Sequence, residues 1–500
     1  MLSLFGKITK RYHTTTLLLL LIIAIATFFR AYKLVANFDY AHDGDLFSWI
    51  IKDIVVDGHL RLIGQQTTAP GIFIGPAFYY ILIPFFFLTN MDPVGAVIPV
   101  TLLGILTVLA YYYVFSKLFN KGIGLIASFL YGILLSNVFF DRRIVPSTPT
   151  NMWLVLYFYS ISMISRGKLF VIPLLGFLIG LVWHIHVALL PALLIIPIAL
   201  VVGKKTPSKK QVILFFTTLS IPSIPLVIFE AKHNFIQTLS FINNFSIDHG
   251  GGTGFDKLNL VLIKVSENIV RLFFYPQTLP FIDHKIFLLF FVIGALIILR
   301  KSLITKGELL VFAVWILTII SYYTFSSTQI SEYYFANIEI LFLGVAACVL
   351  HIFYKSSNAG KYIALAILAI IFIKNFVYIE ATAVYHKGYN ERKDAARFIT
   401  NDSKGKNLPC VSVSYITSPG ENVGFRYFFW LDKLKLTQIT ENSPTYSIVI
   451  PPELASGKDE RLFGKIKVIP PEKISSKEKI NESCSGQDSN LTDSMFGFTN

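Results

Sequence analysis

Twelve long apolar segments fill most of the first 380 residues and constrain this chain more than any other feature. A helix needs about 20 apolar residues to cross the hydrocarbon core of a bilayer. Charged residues make up only 15% of the chain, well below the roughly 25% of an ordinary soluble domain. The sequence therefore predicts an all-α polytopic membrane protein. The apolar segments are 14–32, 71–89, 94–116, 122–140, 149–165, 169–183, 186–202, 211–230, 284–299, 308–326, 334–354 and 361–379.

Lysine and arginine residues predict the orientation of these segments, because cytoplasmic loops are enriched in both. Basic residues precede the first segment and no small-residue cleavage site follows it, so we expect an uncleaved signal-anchor with a cytoplasmic N-terminus. The loops predicted to be cytoplasmic are 117–121, 166–168, 204–210, 300–306 and 355–361. The stretches predicted to lie on the outer side are 33–70, 140–148, the 184–186 turn, 231–283, 327–333 and everything after 380.

The two ends of the chain require an odd number of crossings, since the N-terminus is predicted inside and the C-terminal residues outside. Twelve full crossings fail this test, so we expect about eleven to thirteen transmembrane helices. Either 71–89, which Gly75, Pro76 and Pro84 interrupt, is partly re-entrant, or 169–202 is not a simple pair of helices.

The last part of the chain differs in composition and predicts a separate domain. Residues 381–500 hold 16 Lys and Arg against 14 Asp and Glu, so most of the net charge of +14 belongs to 1–380. Helix-like 391–398 and strand-like stretches alternate with Pro, Gly and Asn turns, which is typical of an α+β domain. We therefore expect a transmembrane domain over 1–380 and a small soluble extracytoplasmic domain over 381–500. A disulfide between Cys410 and Cys484 and two separate thiols are both open.

The richest polar stretch follows the first apolar segment directly. It holds Asp39, His42, Asp43 and Asp45 within seven residues. Acids beside a membrane surface are hydrated, so a solvated loop with a helix cap at Asp43 or Asp45 is one interpretation. The alternatives are a carboxylate that acts as general base on a hydroxyl, or an Asp-x-Asp pair that holds a metal-bound phosphate.

Basic residues in three other stretches are candidates for binding an anion. His59 and Arg61 lie in the Gly- and Pro-rich approach to the second apolar segment, Arg142 and Arg143 follow the fourth, and Arg271 lies in the long loop 231–283. Arginine suits a phosphate because its planar guanidinium donates two parallel hydrogen bonds. If Arg142 and Arg143 face the cytoplasm instead, they are only positive-inside anchors.

Glu332 and Tyr333 are candidates for a sugar or phosphate pocket, although a tyrosine here is equally consistent with the interfacial aromatic belt. The three cysteines lack metal-binding spacing, so no metal site is predicted, and a divalent metal at Asp43 and Asp45 stays an alternative. Most basic residues lie between apolar segments rather than along one face, which excludes nucleic acid as a partner.

Three short motifs between residues 39 and 80 carry a resemblance to a known group of enzymes. They are DYAHD at 39–43, GHLRLIGQ at 58–65 and GPAFYY at 75–80. Together with an N-terminal span, an acidic first outer loop and a C-terminal outer domain, they resemble the GT-C superfamily of glycosyltransferases. The nearest likeness is to the family-39-like branch, which includes protein O-mannosyltransferases and the aminoarabinose transferases of lipid A.

The chain departs from that branch at several positions. Bacterial members carry D-Q-x-R-D, G-x-L-x-L-I-G-P and G-P-x-Y-Y, whereas this chain has Tyr40 for the Gln, His42 for the Arg and Gln65 for the last Pro. An R-x-x-x-P-S pattern is also similar, from Arg142 to Ser147. The departures leave open which carboxylate of the first loop is catalytic.

The resemblance implies an inverting glycosyltransferase of the cell envelope, with its active site on the outer side of the plasma (inner) membrane. A hexose or pentose would pass from a polyprenyl-phosphate lipid of the membrane to a hydroxyl of an acceptor glycan, lipid or protein. Asp43 foremost, and otherwise Asp39 or Asp45, would deprotonate that hydroxyl, while arginines would offset the charge of the departing lipid phosphate. The implied substrate-binding residues are His42, His59, Arg61, Arg142, Arg143, Arg271, Glu332 and Tyr333.

Two other classes of protein remain as alternatives. A multispan transporter or lipid flippase also needs many spans, but it predicts ionisable residues inside the membrane and paired broken helices. The apolar segments here contain few charges, and the polar clusters lie at their ends. A non-enzymatic scaffold protein would leave the acidic first loop unexplained.

Overall fold

The computed structural model describes residues 2–67, 69–244, 250–276 and 284–490, and helices dominate it. The helices are α1 (Leu2–Ala31), α2 (His42–Val55), α3 (Ala77–Leu88), α4 (Val97–Leu118), α5 (Lys121–Ile133), α6 (Leu135–Asp141), α7 (Thr150–Ser165), α8 (Ile172–Ile185), α9 (Ile195–Gly203), α10 (Lys209–Lys232), α11 (Ile236–Asn244), α12 (Phe255–Phe274), α13 (His284–Arg300), α14 (Lys306–Phe325), α15 (Ala336–Ser356), α16 (Asn358–Ala381), α17 (Tyr389–Gly405), α18 (Arg426–Leu431) and α19 (Lys477–Ser483).

Each predicted apolar segment coincides with a helix or a helix pair, which confirms the all-α polytopic prediction. Within the described ranges, six helices are long and apolar enough to cross a membrane, and α5 and α6 form a further candidate bent by 66°. The six are Thr14–Ala31, Pro93–Leu118, Lys209–Lys232, Lys306–Phe325, Ala336–Ser356 and Asn358–Ala381. The shorter apolar helices are Ala77–Leu88, Leu169–Ile185, Val187–Gly203 and Ile286–Arg300. The chain is a multi-pass membrane protein, and its number of crossings stays a prediction.

The predicted segment 71–89 is helical only from Ala77. Residues 64–67 pair with 72–74 instead: the Gly64 amide donates to the Ile74 carbonyl at 2.6 Å and the Ile74 amide donates to the Gln65 carbonyl at 3.0 Å. The backbone before α3 therefore satisfies part of its polar groups through this pairing. The re-entrant interpretation of this segment stays a prediction.

Loops that the positive-inside rule assigns to one side of the membrane meet in the structure. Arg166 donates to the Leu118 carbonyl at 2.9 Å and to the Glu308 carboxylate at 2.6 Å. Glu308 also closes a capping box with Thr305, which starts α14 at the predicted basic loop 300–306. The contacts agree with the predicted grouping of these loops.

The chain divides into two compact units. The helical unit comprises Met1–Tyr32, Leu62–Phe78 and Val100–Ala381, and the mixed unit comprises Lys33–Arg61, Tyr79–Pro99 and Thr382–Asn500. One boundary falls at Ala381, next to the predicted one, but the first-loop residues group with the C-terminal residues rather than with the remaining helices.

The helical unit has a continuous apolar core in which two buried aromatic residues of α7, Trp153 and Tyr157, keep their polar atoms satisfied. Trp153 and Trp315 are at most 2% exposed. The Trp153 indole donates to the Leu178 carbonyl at 2.7 Å, and the Tyr157 hydroxyl donates to the Ala192 carbonyl at 2.6 Å. These bonds tie α7 to its neighbours without leaving those two buried donors unpaired.

The mixed unit contains a four-stranded sheet, which confirms the predicted α+β character of the C-terminal residues. The strands are β1 (Ser412–Thr417), β2 (Thr445–Ile450), β3 (Arg461–Phe463) and β4 (Ile466–Ile469), in the order β1-β2-β4-β3. β1 and β2 are parallel, with Ser412 opposite Thr445, and the other two pairs are antiparallel. Helix α17, predicted over 391–398, packs against this sheet.

Cys410 and Cys484 form a disulfide, which decides between the two alternatives left open by the sequence. Their Cα atoms are 5.7 Å apart, and the bond closes a sequence separation of 74 residues. Ile480 and Leu408 pack around it, so the bond joins α19 to the residue that precedes β1. Cys348 is a buried thiol on α15.

Candidate functional site

A cavity of about 70 Å³ lies among α6, α7, α12 and α15 of the helical unit. Its lining combines two guanidinium groups, three side-chain amides and a carboxylate with aromatic rings. The polar lining residues include Asn137, Arg143, Asn151, Asn268, Arg271 and Glu339. They come from three separate stretches of sequence, 137–151, 268–271 and the start of α15, so only the folded helices bring them together.

Arg143 and Arg271, singled out from separate stretches of sequence, line this same cavity. The Arg143 guanidinium lies 5.8 Å from the ring centre of Phe140, and the Arg271 guanidinium lies 5.3 Å from that of Tyr275. An aromatic face holds a cation in place without neutralising its charge. The cavity therefore carries two positive charges whose positions are restrained.

Asn137 is the amide that most strongly indicates a ligand. Its side chain is 3% exposed, and its Nδ2 has no hydrogen-bond partner within the part of the chain that the structure describes. A buried donor without an acceptor costs about 1–3 kcal/mol, so native structures rarely leave one. An anionic or hydroxylated ligand in the cavity would accept this hydrogen bond.

A buried network around Asp141 fixes Asn151, a second amide of the cavity. The Asp141 carboxylate accepts from Arg30 at 2.7 Å, from the Tyr131 hydroxyl at 2.7 Å and from Asn151 Nδ2 at 3.2 Å. Arg30 fits because Gly104 has no side chain: a Cβ at Gly104 would lie 2.7 Å from the Arg30 side chain. The network connects α1, α5 and α7, and it holds Asn151 at the cavity wall.

Arg142 has a different environment from Arg143. It donates to the Tyr32 carbonyl at 3.0 Å and packs over the Phe139 ring, and it is not among the residues that line the cavity. Burial lowers the pKa of Arg142 to about 10, which still leaves it protonated at neutral pH. Its contacts tie the end of α6 to the end of α1.

Glu339 brings a carboxyl group into the cavity. It lies in the first turn of α15, and Arg271 attracts it electrostatically. Among the described side chains, none forms a hydrogen bond or ion pair with its carboxylate. Ionisable residues in membrane-spanning helices mark functional sites, because burying them in lipid is expensive.

The first-loop carboxylates lie in the mixed unit, where Asp43 and Asp45 occupy the first turn of α2. Residues two apart on a helix point roughly 200° apart around its axis. The Asp43 side chain is 49% exposed and lies 3.6 Å from the His42 ring, whereas Asp45 is 3% exposed. The Asp-x-Asp pair therefore has no common face on which to bind a metal.

Asp45 anchors the first loop to the C-terminal residues. Its carboxylate accepts a hydrogen bond from the Gly424 amide at 3.1 Å. Gly424 has φ +84°, and a Cβ there would lie 2.8 Å from the Tyr40 carbonyl oxygen, so glycine is required. Arg392 donates to the Glu421 carbonyl at 3.1 Å and so holds the same turn. These contacts give Asp45 a structural role.

Asp39 lies close to several charged groups of the mixed unit. Burial raises the pKa of its carboxyl, Arg392 and Lys387 lower it, and Glu421 and Asp43 add to the increase. The carboxyl is thus less acidic than an ordinary aspartate. It is the third carboxylate that the first loop offers.

His59 and Arg61 both bind Asp53, a residue that the sequence analysis missed. The Asp53 carboxylate lies 2.8 Å from His59 Nδ1 and accepts a hydrogen bond from Arg61 Nε at 3.0 Å. The Tyr80 hydroxyl donates to the Arg61 carbonyl at 2.9 Å. The signal for Asp53 was weak, because an acid on the buried face of α2 is indistinguishable in sequence from a solvated one.

The sequence also predicted two pocket residues, Glu332 and Tyr333, and a metal site as an alternative. Glu332 and Tyr333 lie in the short 3₁₀ turn Glu332–Phe335, and their side chains are outside the described part of the structure. No three His, Cys, Asp or Glu side chains within the described ranges are grouped to hold a metal ion.

Three residues of the cavity were not predicted from the sequence: Asn137, Asn268 and Glu339. Glu339 had a detectable signal, since it is an acid inside the predicted apolar segment 334–354. Asn137 had a weaker one, as a polar residue near the end of segment 122–140. Asn268 lies on the amphipathic helix α12, where nothing in the sequence distinguishes it from other polar positions.

Comparison with known proteins defines the class of fold. No protein-family model matches the chain, and no curated protein matches it. Solved structures show that the chain has a GT-C-like fold, which confirms the resemblance noted from the first-loop motifs. The likeness lies under 25% identity, so it establishes the fold and not the activity.

The particular likeness is to ArnT from Cupriavidus metallidurans. Its structure bound to undecaprenyl phosphate matches with a TM-score of 0.53 and 9% identity, over 92% of this chain and 98% of that chain. Its apo state gives the same values. The apo oligosaccharyltransferase of Archaeoglobus fulgidus has a TM-score of 0.49 and 14% identity, over 84% of this chain and 63% of that one, which is too distant to support an inference.

Proposed function

We propose that this chain is a membrane glycosyltransferase that takes a sugar from a polyprenyl-phosphate donor and transfers it to an acceptor hydroxyl. The observation that carries the proposal is the cavity in which Arg143, Arg271 and the unpaired Asn137 donor lie together among apolar helices. Such a cavity offers positive charge and a directed N–H to an anionic headgroup whose isoprenoid tail stays in lipid. The GT-C-like fold supports the proposal, since ArnT was solved with undecaprenyl phosphate bound.

The two arginines act on the leaving group. When the bond between the anomeric carbon and the phosphate oxygen breaks, its electron pair stays on that oxygen, and the lipid phosphate gains a negative charge. Restrained guanidinium groups stabilise such a charge where it develops, and they act most strongly where water is scarce. The Asp141 network keeps Asn151 and the adjoining wall in place, so the site need not reorganise during the reaction.

We assign the general base to Asp43. An acceptor oxygen attacks the anomeric carbon from the face opposite the phosphate, which inverts the configuration, and its proton passes to the Asp43 carboxylate. The exposure of Asp43 supports this choice, because an acceptor must reach it from water. Asp45 is engaged with the Gly424 amide, and Asp39 is the second choice of base.

The proposed location is the plasma (inner) membrane, with the C-terminal residues outside the cytoplasm. The disulfide between Cys410 and Cys484 supports this side, because disulfides persist in oxidising compartments. The basic loops of the helical unit support it as well, through the positive-inside rule. The transferred group would be a hexose or pentose, and the acceptor a glycan, lipid or protein.

A transfer assay tests the proposal. Membranes that contain the full chain are incubated with undecaprenyl-phosphate lipids carrying different radiolabelled sugars, and label in acceptor material is measured. Membranes with the Asp43→Asn variant at equal abundance are the inactive control. We expect label to leave the lipid only with the wild-type chain.

Two results would contradict the proposal. One is equal transfer by wild-type and vector-only membranes for every sugar offered. The other is movement of the intact labelled lipid between leaflets of sealed vesicles with no transfer, which would favour the flippase alternative.

A further inference from the structure

Glu339 is the cavity residue that phosphate binding does not explain. The helix that carries it, α15, is apolar enough to span a membrane, with a mean hydropathy of 2.0 in its most apolar stretch. A first-turn carboxylate gains some stability from the positive end of the helix dipole. That gain would apply to a carboxylate facing in any direction, so it does not account for an acid on the wall of this cavity.

The charges in the cavity indicate what Glu339 does not bind. A sugar-linked lipid phosphate is a diester with one negative charge, and Arg143 and Arg271 are the cavity groups that match it. A carboxyl group offers the phosphate no positive charge, and in its ionised form it repels the phosphate. Glu339 therefore serves another part of the ligand.

The hydrogen-bonding capacity of Glu339 indicates what it does bind. The carboxyl oxygens of Glu339 can accept hydrogen bonds, and none of the described side chains donates one to them. The hydroxyl groups of a sugar are donors, and they lie within a few bonds of the phosphate in a lipid-linked donor. Asn268, which also lines the cavity, can add contacts to a sugar.

We infer that Glu339 is a specificity-determining residue that accepts hydrogen bonds from hydroxyl groups of the donor sugar. The inference rests on the proposed function, since it assumes that the cavity binds a lipid-linked sugar phosphate. It divides the cavity into a phosphate side, formed by the two arginines, and a sugar side, formed by Glu339.

The test compares two lipids on the purified full chain in nanodiscs. One lipid is undecaprenyl phosphate without a sugar, and the other is undecaprenyl phosphate that carries a neutral hexose, with a pentose-linked and an amino-sugar-linked lipid as further arms. Dissociation constants are measured for the wild type, Glu339→Gln, Glu339→Asp and Arg271→Gln. Glu267→Gln is the matched control, because it makes the same change at a carboxylate that is 39% exposed and pairs with Lys264 on α12.

Glu339→Gln should weaken binding of the preferred sugar-linked lipid by roughly 10- to 100-fold, which is the loss of a hydrogen bond to a charged acceptor. The same variant should bind the sugar-free lipid as tightly as the wild type or tighter, because a repulsive charge is gone. Arg271→Gln should weaken binding of both lipids, Glu339→Asp should retain part of the preference, and Glu267→Gln should change neither.

Equal weakening of both lipids by Glu339→Gln would overturn the inference, because Glu339 would then act only by positioning Arg271. No change with either lipid would overturn it as well. A wild-type chain that binds the sugar-free lipid as tightly as every sugar-linked one would end the inference and leave the phosphate site standing. A wild-type chain that binds neither lipid would end the proposed function itself, and the inference with it.

Discussion

Asn137 and Glu339 lie in helices whose sequences are mostly apolar, whereas Asp39 and Asp43 lie in a loop and a helix start that reach water. A polar group in an apolar helix loses hydration and is kept only where it has a partner or a ligand. A carboxylate at the surface is hydrated at little cost. The position of a polar residue is therefore stronger evidence of function in the helical unit than in the mixed unit.

In the mixed unit, the position of a carboxylate in the sequence of the first loop does not show whether its role is catalytic or structural. The sequence offers both Asp43 and Asp45 as candidate catalytic residues, but Asp45 is buried against the Gly424 amide and Asp43 is half exposed. Local helix geometry separates them, since neighbours two apart face different surroundings. Only the folded C-terminal residues reveal which one is used as an anchor.

The largest expected effect is on Asp43. We expect Asp43→Asn to lower the turnover number by about 10²–10⁴-fold, because removal of a general base has an effect of that size. The measurement is initial transfer rate at saturating donor, with Asp394→Asn, an exposed carboxylate of the same unit, as the matched control. Unchanged turnover in Asp43→Asn would contradict the assignment of Asp43 as the general base. It would also contradict the distinction between a catalytic Asp43 and a structural Asp45.

Arg271 and Arg142 should differ, although the sequence offered both as phosphate ligands. Arg271→Gln should lower the transfer rate by about 10²–10³-fold, as expected when a donor that stabilises developing charge is lost. Arg142→Gln should have a much smaller effect, since Arg142 is engaged with the Tyr32 carbonyl. Transfer rates at matched membrane abundance decide between them, and equal losses would contradict the assignment of the cavity.

The disulfide should stabilise the mixed unit and leave the helical unit unchanged. A cross-link that closes 74 residues restricts the unfolded chain, so Cys410→Ser with Cys484→Ser should lower the free energy of unfolding by roughly 4 kcal/mol. Denaturant titration of the full chain, followed by proteolysis at sites in each unit, measures this effect. Equal destabilisation of both units would argue against two independent units.

Asp45 should affect stability more than chemistry. Asp45→Ala removes the acceptor of the buried Gly424 amide and should destabilise the mixed unit by about 1–3 kcal/mol. Asp45→Asn keeps an oxygen acceptor and should cost less. Thermal unfolding of both variants checks the order, and a larger loss in Asp45→Asn than in Asp45→Ala would show that the charge, not the hydrogen bond, is needed.

The smallest expected effect concerns Asp39. Its pKa in the folded chain is raised by burial, so the folded state holds that proton more tightly than the unfolded state. Stability from this group is therefore present below the ordinary aspartate pKa and is lost as the pH rises through the raised value. Asp39→Asn should remove this dependence and change stability at neutral pH by no more than about 0.5 kcal/mol. Unfolding curves at acidic and neutral pH make the measurement.

The sequence predicted the helices well, because a segment such as 361–379 has to be helical in lipid for its backbone to be satisfied. Arg143 and Arg271 could also be predicted as candidates, the first because it follows an apolar segment and the second because it is an arginine in the long loop 231–283. Their presence in one cavity could not be predicted, because it depends on how α6 packs against α12. The hydrogen bond between the Gly424 amide and Asp45 could not be predicted either. Hundreds of residues separate the two, and the local sequence pattern around each gives no indication of the contact.

The central claim is that the cavity of the helical unit binds the phosphate of a lipid-linked sugar. The most direct test is an experimental structure of the full chain with undecaprenyl phosphate bound in nanodiscs. We expect the phosphate within hydrogen-bond distance of Arg143 and Arg271, with the Asn137 amide donating to the same ligand. A phosphate bound elsewhere on the chain, with neither arginine in contact, would contradict the account.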